Sequence, residues 1–168
     1  MNEYFSRALS DEDLQDLARH CDIPLSGIYM RNALPRPRAG CYIWNMDDAG
    51  SSGTHWTAGI CTPQMCVYFD PFGAPPPMEI LAFINSVSSK CIFNNWIIQD
   101  PAASTCGLYC LAFLRFMTMH IASAANAPRR MKMERKAEAF AQWFVDDTIT
   151  NERRLRDLDW RTGYLFHN

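Results

Sequence analysis

The chain has 168 residues, of which 48% are hydrophobic, and this length suits one domain with a substantial core, so we expect a single domain over residues 1–168. Its seven cysteines are an odd number and lack the paired Cys/His spacing of a zinc site, which argues against a disulfide scaffold and a structural metal centre. No apolar stretch is long enough to span a bilayer and the N-terminal residues are too polar for a secretory signal, so we expect a soluble protein made in a reducing compartment.

The formal net charge of −2 is distributed unevenly along the chain. Residues 1–120 contain seven Lys/Arg and eleven Asp/Glu, whereas residues 121–168 contain nine and seven. The basic segments 129–136 and 152–157 are most typical of solvated helix faces. Contact with nucleic acid is the less common interpretation of such segments.

The first predicted element is an amphipathic helix over residues 10–21. Ser10 and Asp13 form a start that resembles a capping box, and apolar residues then recur at helical spacing. Three short segments rich in β-branched and aromatic residues follow, separated by turn-forming residues. They predict a meander of strands over residues 41–46, 55–62 and 65–70.

The rest of the chain predicts one more strand and several helices. A helix over residues 78–88 is followed by a fourth strand over 91–99. The last predicted elements are helices over residues 106–122 and 131–149 and a short terminal helix. We therefore expect an α+β fold with a central, mostly antiparallel sheet flanked by helices, in which Cys106 begins a buried helix.

Cys106 lies where a polar, proline-containing loop gives way to an apolar helix, and its thiol is either a small core residue or a nucleophile. At a helix start, the unpaired N–H groups and the positive end of the helix dipole favour the thiolate. Cys110 lies one turn further into the apolar segment and is expected to pack in the core, because burial disfavours ionisation. Cys106 is therefore the candidate nucleophile.

A nucleophilic cysteine requires a base, and the chain has four histidines, at positions 20, 55, 120 and 167. His55 is the candidate because it enters a strand from a glycine-rich loop, although a strand-end histidine without a chemical role is the alternative. The next strand ends at Asp70. If the two strands are antiparallel, Asp70 lies beside His55 and orients its imidazole. An aspartate that initiates a turn before Pro71 is the alternative.

Gln99 ends the fourth predicted strand, seven residues before Cys106. Its side-chain amide would face the oxyanion that forms when a thiolate attacks a carbonyl group, and the Cys106 N–H would be the second donor. An ordinary strand-end glutamine is the alternative. Together, the four residues would supply a nucleophile, a base, an orienting acid and an oxyanion hole.

The motifs around these residues resemble those of one protease family. The order His-Trp, then Asp-Pro-Phe-Gly, then Gln-x-Pro-x-x-x-Cys-Gly-Leu-Tyr-Cys is similar to that of the adenovirus maturation proteases, the adenains. The His, acid, Gln, Cys order also resembles that of the SUMO-specific proteases. The resemblance extends over residues 25–116 and has two departures. The adenovirus enzymes usually have Glu where this chain has Asp70, and this chain is shorter and less basic than those enzymes, which argues against the same dependence on DNA. The resemblance implies a source in a DNA virus or a virus-like transposon.

The resemblance implies a cysteine endopeptidase that cleaves viral precursor polypeptides during virion maturation, in the virion and the host cell nucleus. His55, Asp70 and Cys106 would be catalytic, Gln99 would contribute to the oxyanion hole, and Trp56 would wall the substrate cleft, with core packing as an equal alternative. A SUMO- or ubiquitin-like deconjugating protease is the alternative among enzymes. A catalytically silent binding protein on the same fold is the alternative outside them.

The resemblance also implies two activators. In adenovirus proteases, a capsid-derived peptide adds a strand to the sheet and forms a disulfide, and viral DNA is a second activator. Cys91, at the start of the strand that leads to Gln99, is the candidate for this disulfide, and a buried strand thiol is the alternative. We expect weak DNA binding, because the chain is net acidic. The chemistry itself would require no metal or other cofactor, and we expect a monomer without membrane contact.

Overall fold

The computed structural model of the protein describes residues 2–51, 55–119, 129–158 and 160. Its helices are a short 3-10 helix at Asn2–Phe5, α1 at Asp11–His20, α2 at Met78–Val87, α3 at Cys106–Met119, α4 at Arg129–Gln142 and α5 at Thr148–Arg156. The strands are β1 at Leu25–Met30, β2 at Gly40–Asn45, β3 at Trp56–Cys61, β4 at Cys66–Phe69 and β5 at Cys91–Phe93. Every helix among the described residues is too short or too polar to cross a membrane.

Helix α1 begins at the capping box that the sequence predicts. The Ser10 side chain accepts the Asp13 N–H, and the Asp13 carboxylate accepts the Ser10 N–H. Arg7 donates two hydrogen bonds to the same carboxylate, at 2.6 and 2.8 Å, and this pairing holds the pKa of Asp13 well below its usual range. The apolar face of α1 is buried against α3 and β1.

The strands form one mixed sheet in the order β1-β2-β3-β4-β5. The central pairs, β2 with β3 and β3 with β4, are antiparallel, so the predicted meander is confirmed as the centre of the sheet. The outer pairs, β1 with β2 and β4 with β5, are parallel. The sequence does not predict β1, because this segment has no continuous β-branched run. In the structure, the register of β1 against β2 shifts between Leu25 and Gly27.

Each face of the sheet has its own hydrophobic core, because side chains alternate between the faces along each strand. Ile43 and Phe69 contribute to the larger core, which α1, α3, α4 and α5 cover. Tyr42, Trp44 and Tyr68 contribute to the smaller core, which α2 covers. Gly59 is required beneath this aromatic layer, since a Cβ there would lie 2.5 Å from the Trp44 ring.

The α+β class and the position of Cys106 at the head of a buried helix are confirmed. Two element boundaries are wrong. The fourth strand ends at Phe93 rather than at residue 99. The helix predicted over residues 131–149 ends at Gln142, and a new helix begins after Asp147, whose carboxylate accepts the Ile149 N–H at 3.2 Å. Residues 120–122 of the predicted long helix lie outside the described residues.

Candidate active site

Cys106 is the first residue of α3, and its surface is 6% exposed. Helix α3 is buried from Cys106 to Leu114, so the surrounding core fixes the position of the thiol. The first N–H groups of a helix have no intrahelical acceptor, and they favour negative charge at this sulfur. Cys110 is fully buried and its thiol donates to the Trp56 carbonyl oxygen at 3.3 Å. Burial raises the pKa of Cys110 well above its usual range, as expected of a thiol that packs in the core.

His55 and Asp70 are in direct contact, with 2.7 Å between His55 Nε2 and Asp70 Oδ1. Their proximity follows from the ladder between β3 and β4, in which Ala58 pairs with Phe69. The next position along this ladder places Asp70 opposite Thr57. His55 precedes Thr57 by two residues, so its side chain reaches the Asp70 carboxylate diagonally. The antiparallel pairing therefore brings the two residues together as the sequence predicts, although they are not direct partners in the ladder.

The imidazole of His55 also interacts with the Cys106 side chain. Since Nε2 binds Asp70 and Nδ1 is buried without a hydrogen bond of ordinary geometry, Nδ1 is the nitrogen left for the thiol. Burial by itself would lower the pKa of His55, but the hydrogen bond with Asp70, followed by the interaction with Cys106, raises it to about 9. The surroundings therefore favour the protonated ring. Phe72 stacks on the imidazole with 4.6 Å between ring centroids and covers one of its faces.

A tight turn after β4 holds Asp70 in place. The Phe72 N–H donates to Asp70 Oδ1 at 2.8 Å, and the Gly73 N–H donates to the Asp70 carbonyl oxygen at 2.8 Å. Gly73 has a φ of +72°, and a Cβ there would lie 2.6 Å from the Trp96 backbone, so this turn requires glycine. Asn94 braces the same residue, because its Oδ1 accepts the Asp70 N–H at 3.0 Å and its Nδ2 donates to the Asp70 carbonyl oxygen at 2.6 Å.

Gln99 is buried in the loop that precedes α3, with 1% of its surface exposed. Its Nε2 donates to the Ala103 carbonyl oxygen at 2.7 Å, and because an amide nitrogen carries two hydrogens, the second can donate to another acceptor. The N–H groups of Ile98 and Gln99 both donate to the Pro71 carbonyl oxygen, at 2.9 and 3.2 Å, which ties this loop to the Asp70 turn. The oxyanion-hole role of Gln99 stays a prediction.

Helix α5 adds two polar side chains that the sequence analysis does not identify. The Asn151 amide donates to the Ile98 carbonyl oxygen at 3.1 Å. The Glu152 carboxylate accepts the Asp100 N–H at 3.2 Å and the Thr105 hydroxyl at 2.9 Å. Both contacts lie in the loop between β5 and α3. The sequence carries no signal for them, because the segment 152–157 is typical of a solvated helix face. Phe72 and Asn94 are likewise missed, although Phe72 belongs to the Asp-Pro-Phe-Gly motif.

Trp56 contributes to the larger core. Its surface is 7% exposed and its Nε1 donates to the Leu9 carbonyl oxygen at 2.9 Å, so it anchors the N-terminal segment. These contacts favour the alternative, core packing, and a role for Trp56 in the substrate cleft stays a prediction. Of the other histidines, His20 is exposed at the end of α1, whereas residues 120 and 167 lie outside the described part of the chain.

Cys91 is a partly buried residue on the edge strand β5, and it pairs with Cys66 in the parallel ladder. A hydrogen bond from Cys66 lowers the pKa of Cys91, against the opposing effect of burial. The Cys66 sulfur also lies 2.8 Å from the sulfur of Cys61 on β3. Three thiols therefore form a row across neighbouring strands. Within the described ranges, no three His, Cys, Asp or Glu side chains come together as a possible metal site.

Comparisons with known proteins agree with the sequence motifs. The chain is 33% identical over 90 residues to a protein named "Protease" from bovine adenovirus C serotype 10, a match that covers 44% of this chain and 46% of that protein. This confirms the resemblance to the adenovirus proteases, and the chain spans about half the length of this curated relative. No protein-family model matches the chain.

Two solved structures of the ASFV pS273R protease are also similar to this chain. One has a TM-score of 0.43 and 16% sequence identity, and the match covers 83% of this chain and 68% of that one. The other, of the selenomethionine protein, has a TM-score of 0.37 and 19% identity, and the match covers 62% of this chain and 44% of that one.

Proposed function

We propose that this chain is a cysteine endopeptidase of the adenovirus-protease type, with Cys106 as nucleophile, His55 as base and Asp70 as the residue that orients the imidazole. The observation that carries the proposal is the position of His55, which contacts the Asp70 carboxylate at 2.7 Å and also interacts with the thiol at the head of α3. The similarity to a bovine adenovirus protease supports the same reaction class.

In this proposal, the resting enzyme holds an imidazolium beside a thiolate. Asp70 stabilises the imidazolium, and the helix dipole of α3 stabilises the thiolate. The Cys106 sulfur attacks the carbonyl carbon of the scissile peptide, and the negative charge moves to the carbonyl oxygen. The Gln99 amide and the Cys106 N–H donate to this oxyanion.

Collapse of the tetrahedral intermediate completes the first half of the reaction. His55 donates its proton to the amide nitrogen, the C–N bond breaks and the amine leaves, which yields a thioester on Cys106. His55 then accepts a proton from water, and the resulting hydroxide attacks the thioester carbonyl carbon. The C–S bond breaks, the acid product leaves, and the Cys106 thiolate and the His55 imidazolium are restored. Asp70 keeps the imidazole in one orientation throughout.

The proposed substrates are viral precursor polypeptides, cleaved during virion maturation in the virion and the host cell nucleus. The test is to incubate the wild-type protein and Cys106→Ala with a peptide that contains Gly-Gly and with a SUMO-like conjugate, with and without particle proteins. We expect wild type to cleave the peptide and Cys106→Ala to be inactive but folded. Cleavage of the conjugate alone would favour a deconjugating protease, and activity of Cys106→Ala would contradict the proposal.

A capsid-derived activating peptide is a further part of the proposal. Strand β5 lies at the edge of the sheet, and no strand among the described residues pairs with its outer side. A cavity of about 340 Å³ lies between β4, β5 and α4. A peptide added as a strand would satisfy the free backbone groups of β5, and a disulfide to Cys91 would make its binding effectively intramolecular.

DNA is the second proposed activator, and the arrangement of α5 supports weak binding. In the basic segment 152–157, Arg154 donates to the Trp143 carbonyl oxygen and Arg156 lies over the Phe5 ring, 5.3 Å from its centroid. These two guanidinium groups contact the protein itself. We therefore expect few phosphate contacts and a shallow dependence of DNA affinity on salt concentration.

A further inference from the structure

Glu152 on α5 makes an unusual set of contacts for a partly buried carboxylate. Its Oε1 accepts the Asp100 N–H at 3.2 Å and the Thr105 hydroxyl at 3.0 Å, and its Oε2 accepts the same hydroxyl at 2.9 Å. The Tyr109 hydroxyl also lies against it. Burial raises the pKa of Glu152, whereas these donors act in the opposite direction. Buried carboxylates are costly unless such donors compensate for lost water.

Two of these donors, Asp100 and Thr105, lie at the two ends of one loop. Residues 100–105 connect Gln99 to Cys106, so they set the distance between the two groups proposed to hold the oxyanion. Asp100 directly follows Gln99, and Thr105 directly precedes Cys106. A single side chain of α5 therefore joins both ends of the segment on which the oxyanion hole depends.

Asn151 adds a third point of attachment. It is fully buried, its Nδ2 donates to the carbonyl oxygen of Ile98, directly before Gln99, and its remaining bonds go to the backbone of Val145. Neighbouring residues of α5 thus hold the loop before Gln99, after Gln99 and before Cys106.

Contacts inside the loop do not replace this attachment. The Ala103 N–H donates to the Asp100 carbonyl oxygen at 2.9 Å, and Gln99 donates to Ala103, so the loop has a local turn. Residues 101, 102 and 104 are exposed and contribute nothing to the core. Without Glu152, the turn would be free to move relative to α3, because few buried contacts hold it there.

We infer that Glu152, supported by Asn151, is a positioning residue that fixes the spacing between Gln99 and Cys106 and so forms the oxyanion hole. The inference rests on the proposed function. The contacts of Glu152 are with Asp100, Thr105 and Tyr109, not with the His55, Asp70 or Cys106 side chains. It acts through the loop of residues 100–105.

The experiment compares Glu152→Ala with Glu152→Gln, which keeps an acceptor oxygen, and with Glu79→Ala, which removes an exposed carboxylate of α2. Displacement of a catalytic group by about 1 Å costs roughly 10²-fold, and we expect a kcat loss of that size for Glu152→Ala with KM unchanged. Glu152→Gln and Glu79→Ala should retain most activity. The rate at which iodoacetamide alkylates Cys106 should not change in any variant, because alkylation needs no oxyanion hole.

Two further measurements separate positioning from general loss of stability. Hydrogen exchange of the loop amides, followed by mass spectrometry, should be faster in Glu152→Ala and unchanged in Glu79→Ala. In a Gln99→Ala background, adding Glu152→Ala should cause little further loss of kcat, because both changes remove the same donor. If Glu152→Ala does not fold, Thr105→Val and Thr105→Ser provide the same comparison, and only the valine variant should lose kcat.

Wild-type kcat and wild-type loop exchange in Glu152→Ala would overturn the inference. The inference would also be overturned if the kcat losses of Gln99→Ala and Glu152→Ala multiplied in the double variant. A slower alkylation of Cys106 that matches the loss of kcat would overturn it as well. Failure of the proposed function has a different signature, since the wild-type protein would then cleave no peptide either with or without particle proteins. In that case the exchange of the Asp100 amide still reports whether Glu152 holds the loop.

Discussion

At the scale of single residues, Cys106 differs from the other thiols because its neighbour is an imidazole whose pKa the contact with Asp70 raises. Burial raises the pKa of several others: Cys21, Cys41, Cys66 and Cys110. Limited iodoacetamide at mildly acidic pH should therefore label Cys106 first and abolish peptidase activity, as measured by peptide mapping. Cys91 is the competitor, because Cys66 lowers its pKa. The Cys91→Ser variant is the control, and preferential labelling of another cysteine with activity retained would contradict the assignment.

The pH dependence of activity should report the charge on His55. With a pKa of about 9, the imidazolium that protonates the leaving amine is lost as the pH rises through this value, so kcat/KM should fall with a midpoint near pH 9. Asp70→Asn keeps an oxygen for the Phe72 N–H but removes the charge, so its midpoint should move to lower pH. Glu79→Gln, on α2, is the charge-matched control. Equal midpoints for wild type and Asp70→Asn would exclude Asp70 as the partner that stabilises the imidazolium.

Substitution of Gln99 tests the proposed oxyanion hole directly. Gln99→Ala should lower kcat by roughly 10² to 10³, the usual cost of one lost oxyanion donor, while alkylation of Cys106 by iodoacetamide continues at the wild-type rate. Steady-state kinetics and labelling on the same preparation measure both. If kcat stays intact, Gln99 is a structural residue and another donor must hold the oxyanion.

At the scale of elements, the turn after β4 controls the site through Gly73. In Gly73→Ala, the left-handed backbone costs about 1–2 kcal/mol for a residue with a Cβ, and the clash with the Trp96 backbone adds to this. Gly50→Ala is the matched control, since Gly50 also has a positive φ, of +97°, but has no atom within 4 Å of the added Cβ. Urea denaturation should show a larger loss in the free energy of unfolding for Gly73→Ala than for Gly50→Ala, and peptidase assays should show a lower kcat for Gly73→Ala. Equal losses would show that the Trp96 contact is unimportant.

The element predictions succeed where a local signal coincides with tertiary packing. Helix α1 has both a capping box and an apolar face, and the central strands have alternating side chains that suit two cores. The fourth strand ends early because Asn94 binds the backbone of Asp70 instead of continuing the ladder. The helix break before Asp147 is missed because the amphipathic pattern continues through it, and only the cap identifies the new start.

At the scale of the whole molecule, the candidate site combines segments that are distant in sequence. The motifs that carry the family resemblance predict His55, Asp70, Gln99 and Cys106, and the structure brings the first two together by strand pairing. Glu152 lies outside residues 25–116, which the resemblance covers, and its role depends on the packing of α5 against α3. A local pattern could not predict it, since an isolated carboxylate on a basic helix indicates only a solvated face.

The last prediction concerns control of the whole molecule by activators. If a peptide adds to β5 and is held by Cys91, the unaided protein should have low activity that particle proteins increase under oxidising conditions. Cys91→Ser should lose that increase and leave the basal activity unchanged, because Cys91 lies on the edge strand away from the reacting atoms. A reductant should have the same effect on wild type, and DNA should add a weak activation that decreases gradually across a salt series. Peptidase assays under these conditions measure the effects of the particle proteins, the reductant and DNA. Full unaided activity, insensitive to the substitution, to reductant and to DNA, would show that the proposed peptidase works without either activator.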